Sequence, residues 1–157
     1  DINTALVGYA QAEKQLLEAG LIFTESTCTP GCSFVSLRLG SLYIHWDQLD
    51  RSQTHLQKAV QFAEIAQVVS YGSQAICMLG VLALAQEKYR IGVYLCAVAT
   101  AKFVRLRQRV LIGDLELMDH LLDTAKAKLG LADFEAIWQR GLQFTGELGQ
   151  LLHEIVV

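Results

Sequence analysis

The sequence predicts an all-α domain in which antiparallel helical hairpins stack into a solenoid and a helical segment covers the C-terminal end. Hydrophobic residues make up 52% of the 157 residues, enough for one compact domain with a core. The chain has one proline, Pro30, so breakers of helical structure are rare. Apolar residues recur with the period of a helix, and the pattern repeats about every forty residues.

The repeat is visible when segments that begin at positions 9, 49 and 89 are aligned. The residues in shared register are Tyr9, Leu49 and Tyr89; Ala12, Ser52 and Gly92; Leu16, Leu56 and Cys96; Ala19, Ala59 and Ala99. Upstream, "LRLGSLY" lies forty residues before "CMLGVLA", which places Gly40 in register with Gly80. Each unit therefore has two helices, with Leu-Gly at the centre of the first.

Start and stop signals place the elements along the chain. Helices are predicted at about 4–23, 33–47, 50–68, 71–87, 89–108, 114–129, 132–140 and 146–156. Pro30 and Gly31 predict a turn within the loop "TESTCTPGC" at 24–32.

The C-terminal third carries its own signals. Asp114 is expected to cap the helix that follows it, Thr145 is expected to cap the last helix, and Gly130 fits the positive φ that often follows a helix. Leu115, Met118, Leu122, Ala125 and Leu129 are expected to form an apolar stripe on helix 114–129.

The domain is predicted to span 1–157 as a single unit. Its parts are the second helix of a partial repeat (1–23), two repeats (33–68 and 71–108) and a cap (114–157). The hairpin 71–108 is apolar on nearly all sides, so both of its flanks must be covered. We expect Phe134 and Trp138, four residues apart on one helix face, to serve as plugs of the cap.

Glycine within a helix costs about 1 kcal/mol of helix stability relative to alanine. The presence of Gly40 and Gly80 inside predicted helices therefore requires a structural explanation. Their recurrence at one phase of the repeat predicts that they let paired helices approach closely. The lost helix propensity would then be offset by closer packing.

A unit with Leu-Gly in its first helix, a large residue at the turn and small residues in its second helix resembles the tetratricopeptide repeat. That repeat usually has about 34 residues, against forty here. The resemblance implies a right-handed solenoid whose first helices line a concave face.

A wider resemblance runs from "LGVLALAQEKYRIGVYLCAVATAK" through a basic loop and an acidic helix to "LGLADFEAIWQRG". This order is similar to the C-terminal end of bacterial signal-transduction ATPases and LuxR-type transcriptional regulators. The matching positions are Leu79, Gly80, Ala83, Tyr89, Leu95, Ala97, Leu129, Gly130, Phe134, Trp138 and Gly141. The sequence departs from the family at Val98 and Ala99. The resemblance implies a cytoplasmic fragment of a larger regulator, and without a phosphate-binding glycine loop the ATPase would lie outside it.

The concave face implied by the resemblance gives the candidate binding site. Its residues are Phe34, Leu37, Ser41, Ile44, His45, Gln74, Cys77, Val81 and Leu84. Mainly apolar grooves of this kind take an extended peptide or a helix. The alternative is that the C-terminal helices of the chain itself fill the groove.

A basic cluster contains Lys102, Arg105 and Arg109, which share a helix face. These cations either complement the C-terminal end of the helix dipole or bind an acidic partner segment. The net charge of −3 and pI near 5.8 argue against direct nucleic-acid binding. No apolar run reaches the ~18 residues of a membrane span.

The cysteines and histidines form no recognisable reactive motif. Cys28 and Cys32 flank "TPG" and are interpreted as reduced thiols, with a loop disulfide or half of a zinc site as alternatives. Cys77 and Cys96 fit small core positions. We therefore expect no cofactor and no metal.

Two functions follow as hypotheses. The first is a non-catalytic interaction module that binds a protein or peptide partner, including the ATPase domain of the same chain, with homo-oligomerisation left open. The second is an all-α sensor that binds a small inducer in the groove. An enzyme ranks third because no nucleophile, carboxylate pair or metal set emerges.

Overall fold

A computed structural model of the chain describes residues 2–106 and 112–155. These residues form eight helices and no strand, which confirms the predicted all-α class. The helices are α1 (Ile2–Glu25), α2 (Thr29–His45), α3 (Leu49–Ile65), α4 (Val69–Ala85), α5 (Tyr89–Leu106), α6 (Ile112–Leu129), α7 (Leu131–Leu142) and α8 (Gln150–Ile155).

The first five helices pack as successive neighbours, each against the next. The four turns between them share one geometry, in which one residue adopts a positive φ between 53° and 60°. These residues are Thr27, Asp47, Gln67 and Glu87, spaced twenty residues apart. In each turn the following amide donates to the carbonyl five residues back at 2.8–2.9 Å, which is the hydrogen bond of a Schellman motif. The forty-residue repeat is therefore two helices of seventeen residues, each with a three-residue turn.

The predicted loop at 24–32 is wrong, because α1 continues to Glu25 and α2 begins at Thr29. Pro30 lies in the first turn of α2, where its missing N–H leaves no helical hydrogen bond unmade. Gly31 packs directly under the Phe23 ring, where a Cβ atom would overlap the ring carbons. The turn is made by Thr27, which carries no turn signal in the sequence.

The close approach predicted for Gly40 and Gly80 is confirmed. A Cβ atom at Gly40 would overlap the side chain of Leu56, and the Gly40 carbonyl accepts a 2.8 Å bond from the Ser52 hydroxyl. A Cβ atom at Gly80 would lie 2.7 Å from the Cys96 sulfur. The small residues therefore bring each pair of helices into backbone contact.

The C-terminal helices cover the stack on two sides. Helix α6 contacts α4 and α5, and α7 packs along α5. Helix α7 runs parallel to α5, because Arg90 near the start of α5 pairs with Asp133 near the start of α7 at 2.9 Å and Lys102 reaches the Gly146 carbonyl at 3.4 Å.

The predicted plugs Phe134 and Trp138 pack against the core at the border of the buried face of α7. Ile137 and Gly141 are the buried residues of this helix, and a Cβ atom at Gly141 would lie 2.6 Å from the Ala97 methyl. Phe134 and Trp138 are only half-buried, and their rings stack at 5.9 Å.

The last helix is also shorter than predicted. It begins at Gln150, so Thr145 lies in an irregular segment and does not cap it. The positive φ expected at Gly130 is confirmed at 82°.

We expect Gly80→Ala to lower the free energy of unfolding by about 1–3 kcal/mol, because the Cβ atom would meet buried backbone atoms of α5. Those atoms are the Cys96 nitrogen at 3.0 Å and the Gly92 oxygen at 3.1 Å. Gly8→Ala is the matched control, since no atom lies within 4 Å of its Cβ position. Alanine should stabilise that site by about 0.5–1 kcal/mol through helix propensity. Urea unfolding of both variants measures the difference, and equal changes at the two sites would contradict the packing role.

Candidate functional site: the groove face and the α1–α2 cleft

The nine predicted groove residues divide by their exposure. Six are buried within the chain: Leu37, Ser41, Ile44, Cys77, Val81 and Leu84. Phe34 and His45 are exposed, and Gln74 is half-buried. Leu84 turns toward α5, where it packs over Gly92. We call the side of α2 and α4 that contacts α6 the groove face.

Asp114 anchors the start of α6 on the groove face. One carboxylate oxygen accepts hydrogen bonds from the Ser41 hydroxyl at 2.7 Å and from Nε2 of His45 at 3.3 Å. Asp114 lies in the first turn of α6 rather than before the helix, and it is 7% exposed. The residue predicted as a cap therefore joins α6 to α2.

The electrostatics favour an ionised carboxylate at this position. Burial alone raises the pKa of Asp114, but the hydrogen bonds from His45 and Ser41 and the charge of Arg38 outweigh it and hold the pKa below its ordinary value. Arg38 also donates to the Gln74 side chain at 3.4 Å, which links α2 to α4 beside this contact.

Apolar contacts continue the docking of α6. The Cys77 thiol contacts the Met118 sulfur at 3.5 Å, and Leu122 and Ala125 are buried further along the helix. This confirms the centre of the predicted apolar stripe, while Leu115 and Leu129 at its two ends are half-buried. Burial, followed by the Asp114 charge, raises the pKa of the Cys77 thiol to about 12, so the sulfur is neutral at ordinary pH.

Helix α6 thus covers part of the predicted groove, which agrees with the alternative that the C-terminal helices of the chain fill it. Ser41, His45 and Cys77 contact α6 directly. In the described arrangement, a partner could reach Cys77 only after α6 moves.

A cleft between α1 and α2, beside α6, is open to solvent and has a volume of about 460 Å³. Its lining is mainly apolar and consists of Tyr9, Ala12, Gln15, Leu16, Phe34, Arg38, Ser41, Leu42 and His45. The prediction included Phe34, Ser41 and His45 but missed the residues of α1. The forty-residue register could have identified Ala12 and Leu16 as contact positions. It aligns them with Ser52 and Leu56 of α3, which are both buried.

A second polar network holds α1 in place along the cleft. The buried Tyr43 hydroxyl donates to Glu13 at 2.6 Å, Arg51 also donates to Glu13, and the Arg51 guanidinium lies 4.1 Å from the centre of the Tyr43 ring. Burial and the hydrogen bond to Glu13 raise the pKa of Tyr43 to about 12. The network fixes the α1 wall of the cleft relative to α2 and α3.

The basic cluster is divided. Lys102 is partly buried and contacts the Gly146 carbonyl and, at 5.8 Å, the Phe144 ring. Arg105 is exposed in the last turn of α5. Arg109 lies outside the described residues.

Ser41, His45 and Asp114 are the residue types of a nucleophilic triad, but their geometry differs from one. The serine hydroxyl and the histidine both donate to the same carboxylate oxygen, whereas a triad histidine accepts the serine proton. All four cysteines are free thiols. Across residues 2–106 and 112–155, no group of three or more His, Cys, Asp or Glu side chains is arranged to hold a metal, and no helix has the length and hydropathy to cross a membrane.

No family model, curated protein or solved structure matches the sequence.

The docking of α6 is expected to weaken in acid. Because the pKa of folded Asp114 lies below its unfolded value of about 3.9, its stabilising contribution is full above that pH and is lost as the pH falls through the folded pKa. Asp114→Asn should therefore destabilise the protein by about 1–3 kcal/mol at pH 7, and the deficit should shrink toward pH 3. Urea unfolding across this range, with the exposed Asp119→Asn as control, measures the deficit. A deficit that is independent of pH would contradict the assignment.

Proposed function

We propose that this protein is a non-catalytic interaction module whose groove face binds a helical segment, with α6 as the internal occupant that a partner displaces. The observation that carries the proposal is the docking of α6 across α2 and α4 through one buried polar anchor and a row of apolar contacts.

The contacts of α6 indicate what kind of segment this face accepts. The anchors Asp114, Met118 and Leu122 are spaced four residues apart, so they lie on one stripe of a helix. Glu116, Asp119 and His120 on the other side are exposed. An amphipathic helix that lays its apolar face into a groove is a recurrent mode of peptide recognition.

The single polar anchor also supports exchange. A partner helix displaces α6 only through a difference in free energy between the two bound states. The polar anchor is a single carboxylate whose partners lie 2.7 Å and 3.3 Å away. A competing helix with a carboxylate at the matching position can satisfy Ser41 and His45 equally well.

The wider context is part of the proposal. The resemblance of 77–102 and 129–141 to bacterial signal-transduction ATPases and LuxR-type regulators supports a place in such a regulator, in the cytoplasm. The partner would then be a protein segment, with the ATPase domain of the same chain as one candidate. The net charge of −3 supports a protein partner over nucleic acid.

The second candidate is a small-ligand sensor, which the cleft of about 460 Å³ favours by its size. Arg38 and His45 could hold the anionic end of an amphipathic ligand. The cleft is open to solvent, however, whereas small-molecule sites usually bury most of their ligand. This openness supports the interaction module.

The test uses Met118→Lys, which places an ammonium group against the buried Cys77 and should release α6. A synthetic peptide that copies residues 112–129 is then added to the variant. We expect the peptide to bind the variant at least about tenfold more tightly than the native chain, because the native groove face is already occupied. Isothermal titration calorimetry measures both affinities.

Asp119→Lys is the matched control, since Asp119 is exposed one position further along α6. It should bind the peptide as weakly as the native chain does. Circular dichroism establishes that α1–α5 remain folded in each variant. A folded Met118→Lys chain that does not bind the peptide would overturn the proposal.

A further inference from the structure

We propose that the α1–α2 cleft binds a helix of the same kind as α2 and α4, about seventeen residues long with a glycine at its centre. The inference deepens the proposed function, on which it rests, by naming the partner that fits beside the groove face.

Helix α1 occupies the same position in the repeat as α3 and α5. At the register of Leu16, the equivalent residues Leu56 and Cys96 are both 0% exposed, whereas Leu16 is half-buried. Ala12 is half-buried as well, although its equivalent Ser52 is fully buried. The chain therefore carries core-type residues on α1 without the full burial they receive elsewhere.

The equivalent residues of α3 and α5 are buried by the helix that precedes each of them. Leu56 and Ser52 of α3 meet Gly40 of α2, and Cys96 of α5 meets Gly80 of α4. In both pairs, the covering element is the preceding helix, with its glycine at the contact. The same surface on α1 faces the cleft, which Ala12 and Leu16 line.

Helix α2 provides the opposite wall of the cleft. Helices α2 and α4 lie side by side, and their contacts include the Phe34–Tyr71 ring pair at 5.8 Å and the Arg38–Gln74 hydrogen bond. A helix in the cleft would continue this row on the other side of α2. Leu42 is half-buried in the cleft wall, whereas Leu82, its equivalent in α4, is only 3% exposed. A helix in the cleft would bury Leu42 to a similar extent.

The dimensions agree with this occupant. A seventeen-residue helix such as α2 is about 26 Å long. Helix α1 has 24 residues and extends past the region equivalent to α3, so it can support the whole length of such a helix. The close approach needs a small central residue, because a larger one would push the helix away from Leu16.

The experiment supplies this helix from the chain's own sequence. A copy of Thr29–His45 is attached to Asp1 of the full chain through a linker of about ten Gly and Ser residues, which spans roughly 17 Å. We expect the melting temperature to rise by about 3–8 °C relative to the chain with the linker alone. The copied helix with Gly40→Leu should give no rise.

Two variants of the host chain locate the binding surface. Ala12→Trp fills the cleft and should abolish the rise, whereas Ala10→Trp, at an exposed position of α1 outside the cleft, should preserve it. Circular dichroism establishes folding. If Ala12→Trp does not fold, the comparison between the copied helix and its Gly40→Leu form still decides the question.

Equal melting temperatures for those two forms would overturn the inference, and so would a rise that survives in a folded Ala12→Trp chain. The groove-face experiment separates the two proposals. If the fused helix has no effect but the α6 peptide binds the Met118→Lys chain, only the identity of the cleft partner is wrong. If neither helix binds, the proposed function fails too.

Discussion

At Gly80 the backbone of α4 comes so close to α5 that an added Cβ atom would lie 3.0 Å from the Cys96 nitrogen. On the facing side of α5, Gly92 also lacks a side chain, and the Leu84 side chain fills the space where its Cβ atom would lie. Neither backbone can take up a larger side chain without opening the hairpin, so this contact fixes where α5 lies. Helices α6 and α7 both pack on α5, and Gly141 of α7 makes a second close approach there. The surface on which the C-terminal third folds therefore depends on the α4–α5 spacing.

Two carboxylates hold the outer helices α1 and α6 on the stack. Hydrogen bonds from Tyr43 and Arg51 hold the pKa of Glu13 below its ordinary value, and this network fixes α1 beside α2 and α3. Asp114 plays the corresponding part for α6 through Ser41 and His45. The Glu13 network keeps a wall of the cleft in place, whereas the Asp114 contact holds the helix that covers the groove face. Acid weakens both contacts, because each lowered pKa means that protonation opposes the folded arrangement.

Local patterns were sufficient to predict the helices, the forty-residue repeat and the glycine contacts, because each depends on residues a few turns apart or on one repeat distance. The turn at Pro30 was wrong because proline is equally compatible with the first turn of a helix, and the left-handed residue is Thr27. The occupied groove could not be decided from local patterns, since Asp114 and Ser41 are 73 positions apart. On α7 the fully buried residues are Ile137 and Gly141, whereas Trp138 packs on the core and stays half-buried. This difference depends on how α7 packs against α5, which local patterns do not show.

The groove face and the cleft share residues, and this links the two proposals. Ser41 and His45 line the cleft and also donate to Asp114 of α6. A helix bound in the cleft would contact the same two side chains, so it would change the free energy with which α6 is held. By thermodynamic linkage, release of α6 would change the affinity of the cleft by the same factor. If both proposals hold, the shared donors Ser41 and His45 would couple the two helix sites without any change in the helical stack.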